Sequence, residues 1–183
     1  MTAGMAWKGR AAVVTVSDRS AAGEREDESG PLLARLLERA GWEFLEGRVV
    51  PDDEDAIARV LAELAAAGIP LVLTTGGTGL SPRDRTPDAT RAVADREIPG
   101  IAEALRAAGL AETPHAMLSR ATAAVLGATL IVNLPGSPRG AESGFRALAP
   151  VLDHAVRLVA GVAAADAEHR SADLASGPPG GAP

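Results

Sequence analysis

Within Thr74-Thr75-Gly76-Gly77-Thr78-Gly79, three glycines fall inside four residues, with threonines before and among them. Glycine bends where other residues cannot and lets a ligand approach the main chain closely. A plain turn needs about one such residue; three beside hydroxyls favour a cradle of backbone N–H groups for phosphate. No Gly-Lys-Ser/Thr follows, so this is not a Walker A loop. The spacing of Gly76, Gly77 and Gly79 also lacks the third glycine of the dinucleotide fingerprint.

Two carboxylates join the loop as candidates. Taken alone, Asp52 reads as the N-cap of the following helix and Asp84 as a turn residue between Arg83 and Arg85. Both nevertheless follow apolar strands, which puts both at the carboxyl edge of the sheet with the glycines. Two carboxylates beside a phosphate site would hold Mg²⁺, with water completing its octahedron. Ser119 and Arg120 have ordinary readings as a packing serine and a surface charge. Near phosphate, the arginine fork would neutralise charge. His115, His154 and His169 do not have zinc-ligand spacing and receive no role.

These side chains need strands and helices to hold them. Leu71 to Thr75 reads as a buried strand. Thr86, Pro87 and Asp88 read as N-cap, first helical residue and first-turn acid of a short helix reaching Asp95. Upstream, Arg10 to Ser17 is an apolar, β-branched run expected as a central strand. A charged loop follows to Ser29. A helix from Ser29-Gly30-Pro31 then carries Leu33, Leu36, Leu37 and Ala40 at helical spacing, and Gly41 stops it. Trp42 to Val50 predicts a strand. The acids Asp52 to Asp55 open a helix with Ile57, Val60, Leu61 and Leu64 on one face, ended by Gly68. Downstream, Ile98-Pro99-Gly100 precedes a helix over Ile101 to Ala108. Met117 to Val125 and Thr129 to Leu134 read as strands joined at Leu126-Gly127-Ala128, a hairpin-like edge. Phe145, Leu148, Leu152, Val156 and Val159 form the stripe of the last helix. Alternating strands and helices imply a three-layer α/β/α domain with a mostly parallel central sheet.

At 183 residues one domain over 10–161 is expected, after a flexible leader at 1–9 and before a disordered Gly/Pro-rich tail at 165–183. Hydrophobic residues make up 46% but aromatics only 2%, so the core must be Ala, Val, Leu and Ile. With no cysteine, disulfides and thiolate metal sites are excluded. No signal segment or membrane-length apolar run is evident, so a soluble cytoplasmic protein without a membrane partner is expected. The net charge of −6 argues against a broad nucleic-acid face, but leaves room for a small anion held by local donors or Mg²⁺.

Thr74-Thr-Gly-Gly-Thr-Gly79 followed by Ser81-Pro-Arg-Asp-Arg-Thr-Pro-Asp-Ala-Thr90 closely resembles the signature of the MogA/MoaB molybdenum cofactor biosynthesis family. Val16-Ser-Asp-Arg19, Arg96-Glu-Ile-Pro-Gly100, Met117-Leu-Ser-Arg120 and Ile131-Val-Asn-Leu-Pro-Gly-Ser-Pro138 extend the match over roughly 10–161. Leu80-Ser81 is a variable stretch within the signature. The resemblance implies a homotrimer that transfers an adenylyl group from Mg·ATP to molybdopterin and releases pyrophosphate. It implies catalytic roles for Asp52, Asp84 and Ser119, with Asp52 and Asp84 as the metal carboxylates. It further implies a ligand pocket of Ser17, Thr75, Gly76, Gly77, Thr78, Gly79, Arg120, Asn133, Pro135, Gly136 and Ser137. A molybdenum-insertion protein of the same pathway would be a partner. Members of the MoaB branch often lack the first aspartate, so Asp52 and Asp84 together favour the adenylyltransferase. A molybdopterin carrier or scaffold without catalysis and a nucleotide sensor are the alternatives.

Overall fold

The structure, a computed structural model, describes residues 9–161. The expected leader, apart from Gly9, and the expected tail lie outside the described residues. Six strands form one sheet in the order β2-β1-β3-β6-β5-β4. They are β1 (Arg10–Val16), β2 (Glu43–Val50), β3 (Leu71–Thr75), β4 (Arg96–Glu97), β5 (Ala123–Leu126) and β6 (Thr129–Leu134). The four strands β2, β1, β3 and β6 run parallel. The β5–β6 hairpin and the short β4 add an antiparallel edge. The expected mostly parallel sheet with a late hairpin is therefore present.

Side-chain alternation along the central strands divides the core in two. Val13, Leu71, Leu73, Leu130 and Val132 point to one face, where α2 (Ser29–Arg39), α5 (Pro99–Leu110) and α6 (Pro138–Val159) supply Leu33, Leu37, Leu105, Phe145, Leu148 and Leu152. Val14, Val72 and Ile131 point to the other, against Ile57, Leu61 and Leu64 of α3 (Glu54–Ala66) and Ala89 of α4 (Thr86–Val93). Period-two strands between period-3.6 helices give three layers. Among the described residues no helix is long and apolar enough to cross a membrane.

Several local expectations change. The charged segment after β1 contains a short helix, α1 (Asp18–Ala21), with Ser17 as its N-cap. Asp53, not Asp52, caps α3: its Oδ1 accepts from the Ala56 amide at 2.8 Å. Thr86 is the first residue of α4 rather than its cap, and α5 begins at Pro99 rather than Ile101. The strand expected from Met117 begins only at Ala123; Pro114–Leu118 is a 3-10 turn whose start is capped by Thr113. Met117 and Leu118 are exposed, so their apolar character does not mark a buried strand.

Chain order and sheet order together decide where a crevice forms. From β1 the chain crosses through α2 to β2 on one side, then through α3 to β3 on the other. The helices that follow β1 and β3, α2 and α4, lie on opposite faces, so the connections leaving these adjacent strands part company at the carboxyl edge. Such a switch point is where open α/β sheets take ligands.

Candidate active site

The glycine loop leaves β3 at this switch point. Gly76 and Gly77 have φ values of +100° and +61°, conformations that side chains resist. A Cβ on Gly76 would overlap the Val16 carbonyl, and one on Gly77 would overlap the Thr86 hydroxyl. Gly136, after β6, fits closely against Gly76: its Cβ would fall 3.0 Å from the Gly76 Cα. The Thr75 hydroxyl donates to the Pro135 carbonyl at 2.8 Å, tying the two loops together.

Every carbonyl along the loop is taken by the protein. Gly76 O accepts from the Thr86 hydroxyl at 2.8 Å, and Gly77 O from the Thr86 amide at 3.1 Å. Thr78 O accepts from the Arg120 amide and Gly79 O from Arg120 Nε, both at 2.8 Å. The Gly76 amide donates to Leu134 O, whereas the amides of Gly77, Thr78 and Gly79 meet no acceptor among the described residues. With carbonyls satisfied and amides free, the loop is a donor surface suited to an anion.

Two cavities of about 370 Å³ each flank this loop. The first is acidic and polar, and Asp52, Asp84, Ser17, Thr75, Gly76, Gly77, Gly136 and Ser137 line it. The second is largely apolar, with Leu105, Leu118 and Ala121 beside Thr78, Gly79, Ser119 and Pro135. Ser137 lines both. It also caps the 22-residue α6, its hydroxyl accepting from the Gly140 amide, so the positive end of a long helix lies where the cavities meet.

Asp52, just after β2, and Asp84, in the loop between β3 and α4, thus line one cavity. Asp52 Oδ2 accepts from the Asp18 amide at 2.9 Å, while Oδ1 faces the glycine loop, 3.0 Å from where a Cβ on Gly77 would stand. Asp84 Oδ2 accepts from the Ser81 amide at 2.8 Å. Burial pushes the Asp52 carboxyl above its ordinary value, and the charges of Asp18 and Asp84 push the same way, against the amide of Asp18 and the charge of Arg83. A divalent cation would relieve that excess negative charge. No group of three or more His, Cys, Asp or Glu poised for a metal occurs among the described residues. Two carboxylates with open positions suit Mg²⁺, which keeps waters and takes phosphate oxygens as its remaining ligands.

Two expected ligand residues have tasks inside the protein. Arg120 places Nη1 on both oxygens of Asp88 at 3.1 Å, Nη2 on the Asp84 carbonyl and Nε on Gly79 O. Its fork braces the loop instead of entering a cavity. Asn133 is fully buried and donates to the hydroxyls of Thr74 and Thr90 at 3.0 and 2.9 Å, joining β6, β3 and α4. Ser119 lines the apolar cavity, its hydroxyl accepting from the Ala121 amide at 3.2 Å. The cavity also carries Arg106, Arg139 and His115, which the sequence reading left without a role. Asp18, which immediately follows Ser17 at the end of β1, also reaches this site through its bonds to Asp52.

A doubly wound sheet whose switch-point loop offers free amides beside two carboxylates defines an open α/β domain with a donor-lined crevice at its carboxyl edge. The sequence model of the family described as "Probable molybdopterin binding domain" matches residues 12–154, and the chain belongs to that family. It is 48% identical over 130 residues to the molybdopterin adenylyltransferase of Haemophilus influenzae, covering 69% of this chain and 66% of that protein. It is 42% identical over 151 residues to a molybdenum cofactor biosynthesis bifunctional protein of Synechococcus elongatus, covering 82% of this chain and 47% of that one. The chain therefore spans less than two thirds of the length of these curated relatives. Among solved structures, the molybdopterin biosynthesis enzyme MoaB from Thermus thermophilus superposes with a TM-score of 0.80 at 49% identity, covering 84% of this chain and 97% of that one.

Proposed function

We propose that the chain is a molybdopterin adenylyltransferase, joining the adenylyl group of ATP to molybdopterin and releasing pyrophosphate. The observation that carries the reading is the glycine loop, whose carbonyls are all engaged and whose next three amides are free between two cavities. The relatives' names supply the substrate class.

The acidic cavity takes the triphosphate and the apolar one the pterin. The terminal phosphate of molybdopterin attacks the α-phosphorus of ATP in line; the new P–O bond forms as the bond to pyrophosphate breaks. A phosphate nucleophile already carries negative charge, so little base catalysis is required. The barrier lies in bringing polyanions together, which makes positioning and charge neutralisation the chief contributions. Gly76, Gly77 and Thr78 border the phosphates, and the free amides of Gly77 and Thr78 donate to their oxygens. The α6 N-terminus at Ser137 favours negative charge at the junction, and Ser119 helps place the pterin phosphate. Asp52 and Asp84 would hold Mg²⁺, which would supply charge neutralisation at the phosphates. Thr75 and Gly136 shape the wall, while Arg120 and Asn133 serve the site by bracing it.

The resemblance also supports a cytoplasmic homotrimer that hands its product to a molybdenum-insertion protein. Exposed Leu45, Val49, Leu80, Met117 and Leu118 offer surface that association would bury. One assay tests the activity: pyrophosphate release with Mg²⁺, ATP and molybdopterin, omitting each in turn. Release that needs all three is expected. Pterin binding without release would make the protein a carrier, and nucleotide binding indifferent to molybdopterin would make it a sensor.

A further inference from the structure

We infer that Asp18 and Arg83 are positioning residues, an ion pair that sets the Asp52 carboxylate relative to the Asp84 turn so that both carboxylates serve one cation. The inference rests on the proposed roles of Asp52 and Asp84. Those residues follow β2 and β3, which are not neighbours: β1 lies between them. A link between the carboxylates must therefore span the end of β1, and Asp18 stands there.

The link is continuous. Val16 and Val50 are the last register pair of β1 and β2, and the Ser17 amide donates to Val50 O at 2.9 Å. Beyond them Asp18 and Asp52 pair reciprocally: the Asp52 amide donates to Asp18 Oδ1 at 3.0 Å, and the Asp18 amide donates to Asp52 Oδ2 at 2.9 Å. The second oxygen of Asp18 accepts from Arg83 Nε at 3.1 Å and also from Nη2. Arg83 immediately precedes Asp84, whose turn closes reciprocally on Ser81 through its own amide and carboxylate. Bonds thus run from Asp52 through Asp18 and Arg83 to Asp84, across three strand ends.

Arg83 and Asp18 are 67% and 42% exposed, and ion pairs so exposed contribute little to stability. Geometry is the better account. Asp52 Oδ2 is held by the Asp18 amide, which leaves Oδ1 turned to the loop. Arg83 also offsets part of the negative charge on Asp52 from a position outside the lining of the acidic cavity. An arginine suits the task because two of its nitrogens reach one carboxylate oxygen, whereas lysine supplies charge without the fork.

Asp18→Asn keeps an oxygen for the Asp52 amide but removes the ion pair; Arg83→Gln removes its cation, and Arg83→Lys keeps charge alone. Two readouts apply to each variant: the Mg²⁺ concentration for half-maximal pyrophosphate release, and Mn²⁺ binding in the presence of ATP by electron paramagnetic resonance. Asp18→Asn and Arg83→Gln should each raise the metal requirement and lower kcat by about tenfold, with KM for molybdopterin unchanged. The double variant should be no worse than either single, because both break one link. Arg83→Lys should recover part of the loss. Thermal midpoints should move by no more than about 2 °C. Unchanged metal dependence, or additive losses in the double variant, overturns the inference while leaving the adenylyltransferase reading intact. If the unaltered protein releases no pyrophosphate, that reading fails, and Mn²⁺ binding decides: weakening in both variants upholds the positioning role and equal binding ends it. Arg83→Gln, on an exposed loop, carries the test should Asp18→Asn fail to fold.

Discussion

Asp53 closes the Ala56 amide at the start of α3, while Asp52, one residue earlier, turns a carboxylate oxygen toward the glycine loop. Adjacent acids therefore predict opposite phenotypes. Asp53→Ala should cost about 1 kcal/mol, lowering the melting midpoint by a few degrees, with adenylyl transfer intact. Asp52→Asn should cost activity on the order of 10²-fold. It should also stabilise the protein in EDTA at neutral pH, for a reason of sign. Asp52 is raised above its ordinary value, so the folded chain keeps this proton to higher pH than the unfolded chain does. The penalty for ionising it is absent in acid and grows as pH rises between the two values. The gain from Asp52→Asn should accordingly fade as pH falls below the ordinary carboxylate range, which melts across about pH 3–7 will show. Asp18 has the opposite sign: the Arg83 hydrogen bond, followed by the Asp52 amide, holds it below the ordinary range. Its contribution is present above the unfolded value and is lost as pH falls through the depressed one.

At the scale of elements, the glycine loop works because its neighbours consume its carbonyls. Thr86 takes two and Arg120 takes two. Gly77→Ala meets both a positive φ and the Thr86 hydroxyl, and should cost more than the ~1–2 kcal/mol of the left-handed conformation alone. Melting and nucleotide titration will both register it. Arg120→Ala frees two loop carbonyl contacts and unpairs Asp88, so KM for ATP should rise several-fold before kcat is affected. The elements themselves were legible in the sequence where periodicity is strong, as in Leu33 and Leu37 of α2 or Phe145, Leu148 and Leu152 of α6. Met117 and Leu118 misled because two exposed apolar residues in a short turn copy the composition of a strand without its burial.

At the scale of the whole molecule, the reversal of strand order around β1 opens the crevice, and two cavities flank the glycine loop and meet at Ser137, the N-cap of α6. Mg·ATP at about a hundred times its Kd should stabilise the fold by about 2.7 kcal/mol, raising the melting midpoint, and Asp52→Asn should abolish most of that shift. Light scattering should give the mass of three chains; a monomer at micromolar concentration would remove the trimer from the proposal.

The sequence by itself determined the alternation of strands and helices, the donor character of Thr74 to Gly79 and the common edge for Asp52 and Asp84. All of these follow from local periodicity, glycine content and strand direction, which need no knowledge of distant partners. Tertiary structure alone decided which of two neighbouring aspartates caps α3, because the choice depends on where the chain enters the helix after β2. It alone committed Arg120 and Asn133 to internal hydrogen bonds, since their partners lie between 11 and 59 residues away in the chain. It alone brought Asp18 and Arg83, 65 residues apart, into one ion pair. A side chain's chemistry is readable from its type, but what consumes that chemistry is set by the groups that folding brings within about 3 Å.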